Sequence, residues 1–319
     1  MRSSHAQVTM QRTLKYSISY VGTGLHTGAK TIMTIKPAEE NCGIVFVRKD
    51  IHFIDNQVPA RWYNVVDTTM STTLSNQDDV TVATVEHLMA ALLGCGVDNA
   101  IIELDGPEVP IMDGSAMPFV SVIEKTGTVD QSVRRKAIWI HRPTEVRHGE
   151  KYAILMPSDL PRITVEINFP NSAIGSQTYS MALINEAFRN DVSRARTFGF
   201  KSDIKQLKHQ GLAKGGTLNN AILVDGERIV NQEGLRFEDE FVRHKVLDAM
   251  GDLALVGVPI IGHFYAYKPG HKLNNALIKQ LMQIPDGWSY VSIDDIHSLI
   301  GPEEKKKKYS GKPFSMKTA

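Results

Sequence analysis

The chain has 319 residues, 42% hydrophobic and 22% charged, enough apolar material for a core that needs no covalent staples. Its 36 Lys and Arg against 35 Asp and Glu leave a net charge of +1, which offers no general field for gripping nucleic acid. Two cysteines, Cys42 and Cys95, exclude a disulfide framework; with no apolar signal segment near the N-terminus, they predict a cytoplasmic protein.

The first half reads as strands and turns. Alternation over 31–35 before Pro37 predicts one strand, and the β-rich Ile44–Arg48 a second. A helix is predicted over 82–93, where Val82, Val85, Met89, Leu92 and Leu93 recur at helical spacing, with Thr81 or Thr84 as cap and Gly94 as stop. The chain returns to strand over 99–104 and turns at Asp105-Gly106-Pro107. The polar segment 126–135 is the expected linker. The second half repeats the order, with strands over 152–156 and 163–167, a helix over 241–255 and a β-rich run over 259–267. The longest uncharged stretch, 253–267, is broken by Pro259 and glycines and is shorter than the roughly 20 residues of a membrane-spanning helix. Lys30–Pro37 and 151–157 each run from a Lys through β-formers to a Pro, a hint of two similar layers. The expected division is an N-terminal domain over 1–128, a C-terminal domain over 136–300 and a Lys-rich tail over 301–319, read as a solvated extension.

The segment Phe241-Val-Arg-His244-Lys245-Val-Leu-Asp248-Ala-Met-Gly251-Asp252 carries the sharpest chemical signal. Residues four apart on a helix share a face, so His244 and Asp248 can grip one ion, with Asp252 a turn further on. An imidazole and a carboxylate suit zinc, but a catalytic site takes a third protein ligand and keeps one position open. Glu86-His87 on the first-half helix is the natural donor, since it sets a carboxylate beside an imidazole. A hydrogen-bonded His/Asp pair on a helix surface is the bland reading of each motif alone. His271 falls on a Gly-containing loop after the last β-rich run, where catalytic groups often lie; a turn histidine is the alternative. Ser193-Arg-Ala-Arg-Thr197-Phe198-Gly-Phe200 either binds an oxyanion or terminates a helix.

Four motifs occur in order: Thr-Val-Glu86-His87, Ala-Arg-Thr197-Phe-Gly-Phe, Arg-His244-Lys245-x-x-Asp248-x-x-Gly-Asp252, and Gly-His271-x-Leu-Asn274. Together with Gly22-Thr-Gly-Leu-His26-Thr-Gly28 and the stretch 104–115 containing Asp113-Gly114-Ser115, they resemble the UDP-3-O-acyl-N-acetylglucosamine deacetylases of lipid A biosynthesis. The resemblance implies an α+β protein of two similar α/β sandwich domains, with β-α-α-β layers and the site at their junction. It further implies one zinc per chain on His87, His244 and Asp248, for which iron(II) could substitute. Glu86 would be the general base and His271 the general acid. Asp252 would hold the His271 imidazole, Thr197 would steady the oxyanion and Lys245 would add positive charge. The acyl chain would run past Phe198, Phe200, Ala213, Gly216 and Leu223, while Lys151 and Lys268 would meet the UDP part. The implied partner is this UDP-linked acylated amino sugar, with transient membrane-surface contact and no protein partner. Two other classes compete. A metal-dependent phosphohydrolase acting on a nucleotide would want more His/Asp ligands, and a binding protein with a structural zinc would leave Glu86 and His271 without a task.

Overall fold

The computed structural model describes residues 9–170, 172–184 and 186–294; His5, His297, most of the N-terminal extension and the Lys-rich tail lie outside the described residues. Two five-stranded sheets trace the same path. The first runs in spatial order Ile18–Thr23, Lys30–Pro37, Ala100–Leu104, Ile44–Arg48, Gln57–Pro59. The second runs Thr144–His148, Lys151–Met156, His263–Tyr267, Arg162–Phe169, Gly175–Ala182. In each, the strand that comes last in the chain inserts between the second and third, antiparallel to one and parallel to the other. Period-two burial aims one face of each sheet inward, as with Thr31, Met33 and Ile35 on Lys30–Pro37.

Among the described residues, five α-helices complete the fold: α1 (Glu86–Gly94), α2 (Met117–Thr126), α3 (Ile204–His209), α4 (Glu240–Ala254) and α5 (His271–Gln283). α1 precedes the inserted strand of the first half and α4 that of the second; α2 and α5 follow those strands. α1 is buried from Glu86 through Leu92 and packs on α4, so apolar residues all round it are what its position demands. One continuous core runs from Met33 and Phe46 through Leu88 and Leu247 to Ile163 and Phe264. The class is α+β with two similar halves, as the resemblance implied. Each half also carries a three-stranded sheet ahead of α1 or α4. These are Val65–Asp67 with Thr73–Ser75 and Thr81–Val82, and Phe198–Phe200 with Ile222–Asp225 and Arg228–Ile229.

Four local expectations change. The first-half helix begins at Glu86, because Thr81–Val82 is held as strand by Thr73–Ser75 and Thr84 adopts a left-handed φ of 58°. Thr84 Oγ1 donates to Glu108, so it caps nothing. The expected linker is mostly strand, since Thr128–Arg134 pairs antiparallel with Met10–Leu14. The run 259–267 splits at Gly262: Ile260–Ile261 pairs with Lys136–Ile140, and His263–Tyr267 enters the five-stranded sheet. A Cβ at Gly262 would stand 2.7 Å from Ile140 Cγ1, so the crossing between sheets needs glycine. Finally, His271 is the first residue of α5 instead of a loop residue.

Candidate active site

α1 and α4 approach closely because α4 presents Gly251 to α1. A Cβ there would lie 2.7 Å from the Glu86 carbonyl carbon and 2.8 Å from its Cα. This crossing sets Glu86 and His87 over the face of α4 that carries His244, Asp248 and Asp252, all buried.

One donor atom each from His87, His244 and Asp248 fall within 4.8 Å of one another. Asp248 Oδ1 lies 3.2 Å from His244 Nε2 and 3.6 Å from His87 Nε2. The two imidazoles stand edge to face, with centroids 5.0 Å apart. His244 Nδ1 lies 3.1 Å from the Ala195 carbonyl, which can only accept, so Nδ1 carries the proton and Nε2 keeps its lone pair. Burial pushes the His244 pKa down against the pull of Asp248, which favours the neutral ligand form. For Asp248, burial opposes ionisation, yet His244 and Lys245 hold its carboxyl well below the usual range. Lys245 Nζ donates to Asp248 Oδ2 at 2.8 Å and sits 5.5 Å from the centre of the Phe198 ring. Two imidazoles and a carboxylate, converging and buried, fit a metal dication. Among the described residues this is the one such group, which disfavours a two-metal site.

The expected acid and base stand beside it. Glu86 Oε1 is 3.7 Å from His271 Nε2, and Glu86 Oε2 accepts from the Thr72 N–H at 3.1 Å. Burial pushes the Glu86 carboxyl up to about 7, with His271 opposing and Asp248 and Asp252 assisting. His271 Nδ1 donates to Asp252 Oδ2 at 2.9 Å. Burial would lower the His271 pKa, but the charges of Asp252 and Glu86 win and raise it to about 10, so the imidazole is cationic at neutral pH. Asp252 also accepts from Asn274 Nδ2 at 2.8 Å and from Thr72 Oγ1 at 2.6 Å.

Thr72 and Glu108 escaped the sequence reading. Thr72 lies in a run of hydroxyl residues with no local pattern, and its partners come from elsewhere in the fold. Buried Glu108 accepts from the His26 and Thr27 N–H groups and from the Thr27 and Thr84 hydroxyls, and so pins the 24–28 turn to the approach to α1. The motif at 22–28 was visible in the sequence; that His26 is buried and close enough to His87 and His271 to feel their charges was not.

The substrate-facing expectations separate in space. Thr197 donates its N–H to Gly114 O at 2.8 Å and leads directly into Phe198–Phe200. Phe198 and Phe200 share one sheet face with Ile222 and Val224, and Phe198 packs edge-on against Phe241 and His244. Leu223 is paired with Gly199 and faces the other way. An added Cβ on Gly199 would meet nothing within 4 Å, so the Gly199–Leu223 face is the open one. Ala213 and Gly216 lie on a turn against Leu25 and His26, where the Ala213 N–H points at His26 Nδ1. Lys151 is exposed, one step beyond the Tyr152–Tyr267 pair, and Lys268 continues the opposing strand with its Nζ on Glu150 Oε1 at 2.7 Å.

Residues 11–283 match the family model described as LpxC: UDP-3-O-acyl N-acetylglycosamine deacetylase. The chain belongs to that deacetylase family. Curated relatives named UDP-3-O-acyl-N-acetylglucosamine deacetylase agree. One from Phenylobacterium zucineum is 47% identical over 87% of this chain and 95% of its own length. One from Syntrophus aciditrophicus is 44% identical over 93% and 94%, and one from Histophilus somni 48% over 89% and 94%. The span that matches the deacetylase family contains every residue that converges at the site.

Proposed function

We propose that the chain hydrolyses the N-acetyl group of UDP-3-O-acyl-N-acetylglucosamine, releasing acetate and UDP-3-O-acyl-glucosamine in lipid A biosynthesis, with one zinc ion per chain. The observation that carries this reading is the convergence of His87, His244 and Asp248 beside an opposed Glu86–His271 pair in a chain of this family. Zinc held by the three ligands supplies Lewis acidity toward the acetyl carbonyl and toward water.

Glu86 accepts a proton from the attacking water, whose oxygen bonds to the acetyl carbon. His271 gives its proton to the amide nitrogen as the C–N bond breaks, so the amine leaves neutral; the acetic acid left behind ionises to acetate, and the proton taken by Glu86 returns to His271, 3.7 Å away, to reset the pair. Asp252, on His271 Nδ1, orients the ring with Nε2 toward the reacting atoms and favours its cation. The Thr197 hydroxyl donates to the developing oxyanion. Lys245 acts mainly through Asp248, whose Oδ2 it holds, and adds positive charge to the same side. The acyl chain is assigned to Phe198, Phe200, Ala213, Gly216 and Leu223, which lie on both faces of the small sheet and on the turn beside it; Lys151 and Lys268 meet the UDP part.

The same reading divides the chain into domains over 1–128 and 136–300, which the doubled strand order supports. It places the enzyme in the cytoplasm, consistent with free thiols at Cys42 and Cys95. A lipid-bearing substrate makes transient contact with a membrane surface part of the proposal; no helix among the described residues is long and apolar enough to cross a membrane. The test is acetate release from the acylated UDP-N-acetylglucosamine against its non-acylated analogue, together with metal analysis of the purified protein. Acetate from the acylated compound with about one zinc per chain is expected. Phosphate or nucleotide release, or iron in place of zinc, would overturn the corresponding part.

A further inference from the structure

Thr72 is buried; two of its three polar groups reach the acid–base machinery and the third holds the residue ahead of Glu86. Its N–H donates to Glu86 Oε2 at 3.1 Å, its hydroxyl donates to Asp252 Oδ1 at 2.6 Å, and its carbonyl accepts from the Val85 N–H, just ahead of α1, at 3.3 Å. Glu86 belongs to the first half of the chain and Asp252 to the second. One residue of the first half's three-stranded insert thus touches the partner of the acid and the base itself. We propose that Thr72 is a positioning residue that sets the acid and the base against each other, acting on His271 through the Asp252 carboxylate.

The Asp252 carboxylate has three donors on two oxygens: Asn274 and Thr72 hold its outer flanks, and His271 Nδ1 bridges both atoms at 2.9 and 3.2 Å. Without the Thr72 hydroxyl, Oδ1 keeps only the longer bond from His271. The carboxylate is then free to turn about its remaining Asn274 bond, and the imidazole turns with it. His271 Nε2 faces Glu86 Oε1 at 3.7 Å and makes no hydrogen bond among the described residues, so the acid loses its aim while the metal ligands keep theirs. The bond is a hydroxyl donor on a charged acceptor in a buried site, the kind whose loss is felt most. The Thr72 N–H to Glu86 is main chain and survives any side-chain change, which separates the effect on the acid from the effect on the base.

This inference rests on His271 being the general acid, so the experiment includes that variant. Thr72→Val, Thr72→Ala, Thr72→Ser, His271→Ala and the double variant Thr72→Val/His271→Ala are made in the full chain. Each is assayed for kcat and KM of acetate release, for bound metal and for thermal unfolding. Thr72→Val and Thr72→Ala should lower kcat by about 10- to 100-fold with KM and metal content near wild type, and Thr72→Ser should restore the rate to within about threefold. In the His271→Ala background, Thr72→Val should slow the reaction no further, because its effect passes through the missing imidazole. Wild-type kcat in both Thr72→Val and Thr72→Ala, an additive loss in the double variant, or loss of fold or metal in both truncations would overturn the proposal. A fully active His271→Ala would instead remove the general-acid reading on which it stands.

Discussion

Replacing Gly251 with alanine should damage the site far more than the stability of the fold. The added methyl would stand 2.7 Å from the Glu86 carbonyl carbon and 2.8 Å from its Cα, where carbon atoms need about 3.5 Å or more. Backbone atoms cannot rotate out of the way as a side chain can, so α1 and α4 must separate by about 1 Å. Overpacking of this kind costs about 1–3 kcal/mol, and alanine's better helix propensity offsets about 1 kcal/mol of it. The net loss of about 0–2 kcal/mol leaves the protein folded. The metal site has much less tolerance, because His87 rides on α1 while His244 and Asp248 ride on α4, and ligand distances must hold within about 0.2 Å. Metal affinity should therefore fall by at least about tenfold, and turnover with it. Competition with a chelator of known affinity reads the first, acetate release at saturating metal the second, and thermal unfolding with the metal removed the third. A Gly251→Ala protein that holds metal as tightly as the wild type and turns over normally would refute the link between this crossing and the site.

His244→Ala and Asp248→Ala should each lose both metal and activity, and Asp248→Ala should also lose some stability because the half-buried Lys245 is left without its partner; near-stoichiometric metal in either variant would remove that residue from the ligand set. Glu86→Gln should retain metal and KM while kcat drops by about 10²–10⁴-fold, and an unchanged kcat would end its role as base. The rate–pH profile should be bell-shaped. Its acid limb should lie no higher than about 7, since burial sets the Glu86 carboxyl there without the metal and a neighbouring dication favours the ionised form. Its alkaline limb, where His271 loses its proton, should lie no higher than about 10, since the carboxylates raise that pKa so far without the metal and the same dication disfavours the cation; Asp252→Asn removes the charge that raises it, so that limb should move to lower pH. A limb that stays in place in Asp252→Asn, with the rate still high, would assign it to another group.

Much of the site was legible because it is local. His244, Asp248 and Asp252 share one face of a helix that runs Glu240–Ala254, within a residue of the bounds expected from periodicity, and Glu86 and His87 are neighbours in the chain. The strands Ile44–Arg48 and Lys151–Met156 likewise follow from residue pattern. Where expectation and structure part, long-range pairing decides. Thr128–Arg134 looks like a linker because its side chains are polar, yet a ribbon exposed on both faces needs only a partner strand, and Met10–Leu14 supplies it. His271 follows Pro269 and Gly270 and reads as a loop residue, but Gly270 is the extended residue before α5, which places the imidazole on the first turn of a helix.

The sequence alone determined which side chains could do the chemistry, because helical periodicity and adjacency in the chain put His244 with Asp248 and Glu86 with His87. Only the tertiary structure decided that the two pairs meet. Their meeting depends on a glycine that lets α1 and α4 touch backbone to backbone, and on the packing of these two helices, one from each half, against each other. Thr72 belongs wholly to that second level. Its hydroxyl and N–H find Asp252 and Glu86 through space, and no periodicity in a chain encodes a contact between residues 72 and 252.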